Sequence, residues 1–267
     1  MRSVTDIPPA QLRALRGVFM DIDDTLTTGG RLTAAAYGAL EQLKDTGLIV
    51  VPITGRPAGW CDHIARMWPV DAVVGENGAF YFRYDRAAHK LEKRFAADGA
   101  QRESDRRHLD EIAKQVLAAF PGTAIASDQR YREADLAIDY CEDVPPLAID
   151  VAQRIAELLE SHGLSAKVSS IHVNGWYGRH DKLSMTRTLL RERFDADLAL
   201  ERAAFAFVGD SPNDAPMFGY FPLSVAVANI RRFTGQLPHA PAYVTRGEAG
   251  VGFVEFTRLV LDARTAQ

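Results

Sequence analysis

The chain has 267 residues, 47% hydrophobic and 25% charged, with a formal net charge of -4. That length holds one large or two modest domains, the composition is that of an ordinary soluble globular protein, and the slight acidity excludes a basic footprint for nucleic acid. Cys61 and Cys141 are too few for a metal cluster and read as buried thiols; residues 1–16 lack the pattern of a secretory signal and no apolar run is long enough for a membrane helix, so the cytoplasm is the expected location.

In chain order, the four apolar residues Gly17 to Met20 predict a buried parallel strand running into Asp21-Ile22-Asp23-Asp24-Thr25 at its carboxyl end. Carboxylates at i and i+2 are costly to hold together unless a cation or proton chemistry uses them, and Mg²⁺ suits such oxygens. The other reading is a turn of solvated acids. Thr27 to Arg31 reads as a turn, and Thr33 as the cap of a helix through Tyr37, Leu40 and Leu43 to Gly47. Leu48 to Ile53 predicts a second strand, with Pro52 late in it at an edge or bulge. Thr54-Gly55-Arg56-Pro57 then leads to a helix holding Trp60, Ile64 and Met67. Asp71 to Gly75 predicts a third strand, followed by the tight turn Glu76 to Ala79 and a strand Phe80 to Tyr84. This βαβαβ opening predicts an α/β fold, a doubly wound Rossmann-like parallel sheet.

The character changes from about Asp85. Strand Leu91–Phe95, helix Ser104–Phe120, strands Thr123–Ser127 and Leu136–Cys141, helix Ala148–His162 and strand Ala166–Ser170 predict an α+β unit with an antiparallel sheet. Residues 85–177 are thus expected to be inserted into a core made of 1–84 and 178–267. The opening pattern resumes at Asp181-Lys182, with helix Leu183–Phe194 and strand Ala203–Val208 ending in Gly209-Asp210-Ser211-Pro212-Asn213-Asp214. Strands Leu223–Val227 and Ala242–Thr245 and helix Gly250–Ala263 complete the core.

Two acidic strand ends in one parallel sheet can converge on one cation, with Asp210 the better placed ligand; for Asp214 a helix cap or turn is the alternative. Thr54-Gly55-Arg56 offers a hydroxyl and backbone N–H groups near a helix start, suited to phosphate. Lys182 is either a solvated helix-start lysine or a neutraliser of transferred charge. In the insert, Arg130 and Arg132 sit between two strands, where they either clamp a second anion or sugar hydroxyls or are simply solvated. Ser169, Ser170, His172 and Asn174 are either substrate contacts or the polar face of a strand; Trp60 and Trp176 read as packing residues.

Asp21-Ile-Asp23-Asp24-Thr25, Thr54-Gly55-Arg56, Lys182 and Gly209-Asp210-Ser211-Pro212-Asn213-Asp214 resemble, in order, the four motifs of the haloacid dehalogenase superfamily of phosphotransferases. Glu76-Asn77-Gly78-Ala79 and the position of the insert further resemble the subfamily with a type IIB cap, which includes Cof-like sugar phosphatases, sucrose phosphatases and phosphomannomutases. The resemblance implies that Asp21 is a nucleophile forming an aspartyl-phosphate and Asp23 the acid and base. It implies that Mg²⁺ is held by the Asp21 carboxylate, the Asp23 carbonyl and Asp210 with support from Asp214, and that Thr54, Gly55, Lys182 and Asn213 bind phosphoryl oxygens. The expected activity is Mg²⁺-dependent hydrolysis of a small phosphate ester, a sugar or sugar-acid phosphate, by a monomer or homodimer without nucleic-acid or membrane partners. A phosphomannomutase-type mutase and a non-catalytic sugar-phosphate sensor are the alternatives. Hinges are expected near Tyr84 and at Trp176 to Gly178.

Overall fold

The computed structural model describes residues 1–169, 171–235 and 237–265. A short strand β1 (Arg2–Ser3) and helix α1 (Pro9–Arg13) precede β2 (Gly17–Met20), all four of whose residues are buried. The hairpin β3 (Thr27–Thr28) and β4 (Arg31–Leu32) leads to α2 (Ala34–Asp45), where the Thr33 hydroxyl accepts from the Ala36 amide at 3.2 Å as the expected cap. β5 (Ile49–Pro52) ends on Pro52, after which α3 (Ala58–Met67) returns the chain to β6 (Val73–Gly75). β7 (Phe80–Asp85) and β8 (Lys90–Phe95) then form a hairpin.

The inserted unit contains α4 (Gly99–Ala119), β9 (Ala124–Ile125), β10 (Asp135–Asp139), α5 (Ile149–Ser161), β11 (Ser165–Val168) and β12 (His172–Trp176). The core resumes with α6 (Lys182–Arg193), α7 (Leu198–Glu201), β13 (Phe205–Gly209), α8 (Ala215–Tyr220), β14 (Leu223–Ala226), β15 (Tyr243–Val244) and α9 (Ala249–Thr265). No described helix is long and apolar enough to cross a membrane.

The core sheet runs β1-β15-β14-β13-β2-β5 with every pair parallel. Alternation within its strands fills two apolar layers: Val18, Met20 and Val208 face one, Phe19, Phe205 and Phe207 the other. Burial on both faces is why these strands read as unbroken apolar runs. The chain winds outward from β2 in both directions, so the switch point falls between β2 and β13, where open α/β sheets hold ligands. A parallel bridge between Ile53 and Val74 adds the antiparallel β6-β7-β8 ribbon to the β5 edge.

Within the insert, the antiparallel order is β11-β12-β10-β9. Leu136 and Ile138 of β10 pack with Leu109 and Val116 of α4 and Leu159 of α5. The alternate residues Asp135, Asp139, His172 and Asn174 are polar and buried on the opposite side of those strands.

Among the differences from the sequence expectation, three bear on how the insert is built and joined. Helix α4 begins at Gly99 because Asp98 caps it, accepting from the Gln101 amide at 2.9 Å; its first turns carry no apolar periodicity. The expected strand 166–170 is β11, which stops at Val168; a turn at Ser169, whose hydroxyl donates to the His172 carbonyl at 3.0 Å, leads into the further strand β12. Ser170 lies outside the described residues. Tyr84 sits inside β7 opposite Leu91, so β8 belongs to the core ribbon and the chain leaves it after Phe95, not at the joint expected near residue 84.

Candidate active site

The parallel pairing of β2 and β13 sets Met20 opposite Val208, and the Asp21 amide donates to the Val208 carbonyl at 2.9 Å. The two acidic stretches therefore leave neighbouring strand ends side by side. Carboxylate oxygens of Asp21, Asp210 and Asp214 lie within 4.8 Å of one another, all buried. Gly209 makes this spacing possible, since a Cβ there would stand 2.4 Å from Asp214 Oδ2.

Lys182 Nζ donates to Asp21 Oδ1 at 2.6 Å and to Asp214 Oδ1 at 2.8 Å. A capping box places it: Asp181 accepts from the Ser184 amide at 2.7 Å, and the Ser184 hydroxyl accepts from the Asp181 amide at 2.9 Å. Gly78 packs against the same helix start at φ +102°, where a Cβ would meet the Asp181 carbonyl oxygen at 2.0 Å. Burial works to lower the Lys182 ammonium, but Asp21 and Asp214 outweigh it and hold its pKa above the ordinary value.

Burial pushes Asp21 up to about 7, with Lys182 opposing and Asp214 and Asp23 assisting. Burial, then Asp21 and Asp214, likewise hold Asp210 well above the carboxylate range. Three buried carboxylates facing Lys182 leave negative charge uncompensated, and an all-oxygen donor set with that excess fits a hard divalent cation such as Mg²⁺. Both Asp214 oxygens are engaged, Oδ1 by Lys182 and Oδ2 by the Asp210 amide at 3.1 Å, so Asp214 orients its neighbours. Thr25 donates to Asp210 Oδ1 at 3.1 Å. Asn229 Nδ2 donates to the Asp24 carbonyl at 3.0 Å and to Asp210 Oδ2 at 3.3 Å. Nothing local in Ala228-Asn229-Ile230 signals that role, because its partners come from distant loops.

The Asp23 carboxylate turns away from this cluster. Arg56 Nε donates to its two oxygens at 3.1 and 3.0 Å, and Nη2 to Oδ1 at 2.9 Å. The same Nη2 donates to Glu142 Oε1 at 2.8 Å, and the guanidinium lies 4.4 Å from the ring of the exposed Trp60. Trp176, by contrast, is buried as a packing residue. Glu142 Oε2 is 2.9 Å from His172 Nε2, an ion-pair distance off the line of a hydrogen bond. His172 draws the Glu142 carboxyl down to about 2, and Arg56 assists against the opposing effect of burial.

Asp21, Asp23, Gly55 and Asn213 line one cleft with Arg132 and His172 of the insert. Its free volume is about 20 Å³, roughly that of one water. Thr54 is wholly buried behind it, its hydroxyl accepting from the Arg56 amide at 3.0 Å, and Asn213 Oδ1 is 2.6 Å from the Ser211 hydroxyl. Arg130 is outside the cleft, exposed and stacked on Tyr131 at 4.7 Å. Arg132 reaches it but is neither solvated nor open to an anion: it is paired with Asp128 at 3.0 Å and Asp135 at 3.1 Å, and donates to the Gly55 carbonyl at 2.9 Å.

Glu76, read from the sequence only as part of a turn, joins insert to core. Its carboxylate accepts from the amides of Ala58 (2.9 Å), Glu133 (2.9 Å), Ala134 (2.6 Å) and Asp135 (3.2 Å). Burial and Asp135 push its pKa up to about 8, against Arg132 and the amides. Every one of these hydrogen-bond partners is a donor, so the ionised carboxylate is the form the surroundings accommodate.

A family model described as haloacid dehalogenase-like hydrolase matches residues 18–128. A phosphoglycolate phosphatase of Methanoculleus marisnigri is 25% identical over 248 residues, covering 90% of this chain and 94% of the relative. The sucrose-phosphatase of Synechocystis, solved with sucrose and phosphate, superposes with a TM-score of 0.63 at 18% identity, covering 92% of this chain and 98% of that one. A haloacid dehalogenase subclass IIB sugar phosphatase gives 0.61 at 14% identity, covering 91% and 98%. With its acidic strand ends adjoining at the switch point and Lys182 bonded to two of the carboxylates, this chain resembles the haloacid dehalogenase-like hydrolases, in sequence over residues 18–128 and in fold over most of its length.

Proposed function

We propose that this hydrolase is an Mg²⁺-dependent phosphatase acting on a small phosphorylated metabolite, a sugar or sugar-acid phosphate. The observation that carries the reading is the contact of Lys182 with both Asp21 and Asp214 beside Asp210. A relative named for phosphoglycolate hydrolysis and a structural neighbour solved with sucrose and phosphate support the reaction class.

Asp21 would attack phosphorus, forming a bond to its carboxylate oxygen as the bond to the ester oxygen breaks. Asp23 would protonate the departing oxygen and then take a proton from the water that hydrolyses the aspartyl-phosphate. Asp21 and Asp210 would hold Mg²⁺, which when bound offsets charge on the phosphoryl group. Lys182 neutralises a nucleophile and an approaching dianion that would otherwise repel each other. Arg56 fixes the direction of the Asp23 carboxylate. The insert, from about residue 97 to 177, acts as a cap over the cleft, and room for about one water means that it swings aside to admit an ester.

Release of inorganic phosphate from a panel of sugar and sugar-acid phosphates tests the reading. Turnover should need Mg²⁺ and fall at least about 10³-fold in Asp21→Asn. A folded wild-type protein inactive across the panel would overturn it, and an isomeric sugar phosphate in place of free phosphate would indicate a mutase.

A further inference from the structure

We propose that Glu142 sets the charge of the leaving group, rejecting one that carries its own carboxylate and admitting one that is uncharged and hydroxylated. The inference rests on the phosphatase reading and narrows its substrate class.

The cations around the cleft are already committed. Lys182 is bonded to Asp21 and Asp214, and Arg132, with a fully buried side chain, to Asp128, Asp135 and the Gly55 carbonyl. Arg56 gives its Nε and Nη2 to Asp23, and Nη2 reaches Glu142 as well. Between them Asp23 and Glu142 take up the guanidinium of Arg56, and Glu142 also takes up His172; Arg56 and His172 both line the cleft. A leaving group bearing a carboxylate needs that same arginine and imidazole, so it must displace the carboxylate of the exposed Glu142 from these two buried side chains. An uncharged polyol needs no cation, and its hydroxyls can donate to Glu142 and accept from Arg56 or Asn174.

Glu142 is built into place. Asp139, buried at the end of β10, accepts from the amides of Cys141 at 2.9 Å and Glu142 at 2.8 Å through Oδ1, and from Asp143 at 2.8 Å through Oδ2. These bonds fix the turn from which the carboxylate projects, so rejecting an anion requires no rearrangement of the turn.

The test compares kcat/KM of the full chain with Mg²⁺ on glycerol phosphate, phosphoglycolate and the reference ester p-nitrophenyl phosphate. Wild type should prefer glycerol phosphate to phosphoglycolate. Glu142→Gln, close to isosteric, should move that ratio toward phosphoglycolate by about tenfold, chiefly through KM, and Glu142→Lys should move it further. Any effect on Asp23 through Arg56 is common to both esters and cancels in the ratio. A wild type that hydrolyses phosphoglycolate as readily as glycerol phosphate, or variants whose ratio stays within about twofold, would overturn the assignment. If p-nitrophenyl phosphate is turned over while the ratio is unmoved, the role of Glu142 alone falls. If wild type hydrolyses none of the three, the phosphatase reading falls and Glu142's role with it.

Discussion

The carboxyl ends of β2 and β13 and the polar face of the β10–β12 sheet meet across one cleft, yet they are built on different principles. On the core side, Asp21 and Asp210 leave adjacent parallel strands whose register makes their meeting unavoidable. On the insert side, His172 and Asn174 meet partners far away in sequence, Glu142 and the Asp135 carboxylate that accepts from Asn174 at 2.8 Å, while Arg132 and Glu142 combine local acids with the distant Gly55 and Arg56. Chemistry carried by a strand end tolerates change elsewhere, whereas recognition carried by a docked face depends on the docking.

The comparison is broken most severely at Lys182. Replacing it with Ala removes the cation between Asp21 and Asp214 and should lower kcat by about 10²-fold or more, with the insert still docked; steady-state kinetics and a circular dichroism spectrum check both halves. Glu76→Gln attacks the docking instead. It presents an amide N–H₂ group to backbone donors, and should cost about 1–3 kcal/mol in urea unfolding and speed hydrogen exchange at the Ala134 amide. Equal exchange rates in the two proteins would show that the contact carries no load.

The smallest effect expected is a pH dependence at Glu142. Its folded-state pKa is depressed from 4.5 to about 2, so the stability it contributes is present above pH 4.5 and is lost as pH falls through that interval. The difference in urea midpoint between wild type and Glu142→Gln should therefore be largest near neutral pH and shrink toward pH 2. A difference that grows between pH 4.5 and pH 2 contradicts the ion pair with Arg56.

These two sides also differ in what a reader of the sequence can see. Gly17 to Met20 and Phe205 to Gly209 are buried on both faces, so their apolar runs announce strands, and acids at their ends announce a site. Thr33 caps α2 and Lys182 begins α6 as their local patterns require. Arg130 and Arg132, two residues apart in one charged turn, look alike in sequence, but one stacks on Tyr131 in the open and the other is sealed between Asp128 and Asp135. Glu142 and Asn229 gain their roles only when distant loops fold against them. Burial of polar groups against long-range partners leaves no periodic trace, which is why the insert side was the less legible half.

The turn at residues 76–78 touches both sides at once. Glu76 grips the amides of residues 133–135, while two residues on Gly78 braces the helix start that presents Lys182. Any swing of the insert pulls on the same three-residue fulcrum that seats the lysine, so gating and charge neutralisation share a mechanical element. The insert is for that reason a poor candidate for modular exchange. A graft from a relative, or a core stripped of residues 97–177, would leave a buried carboxylate at Glu76 without three of its four amide partners, and the fault would surface at Lys182.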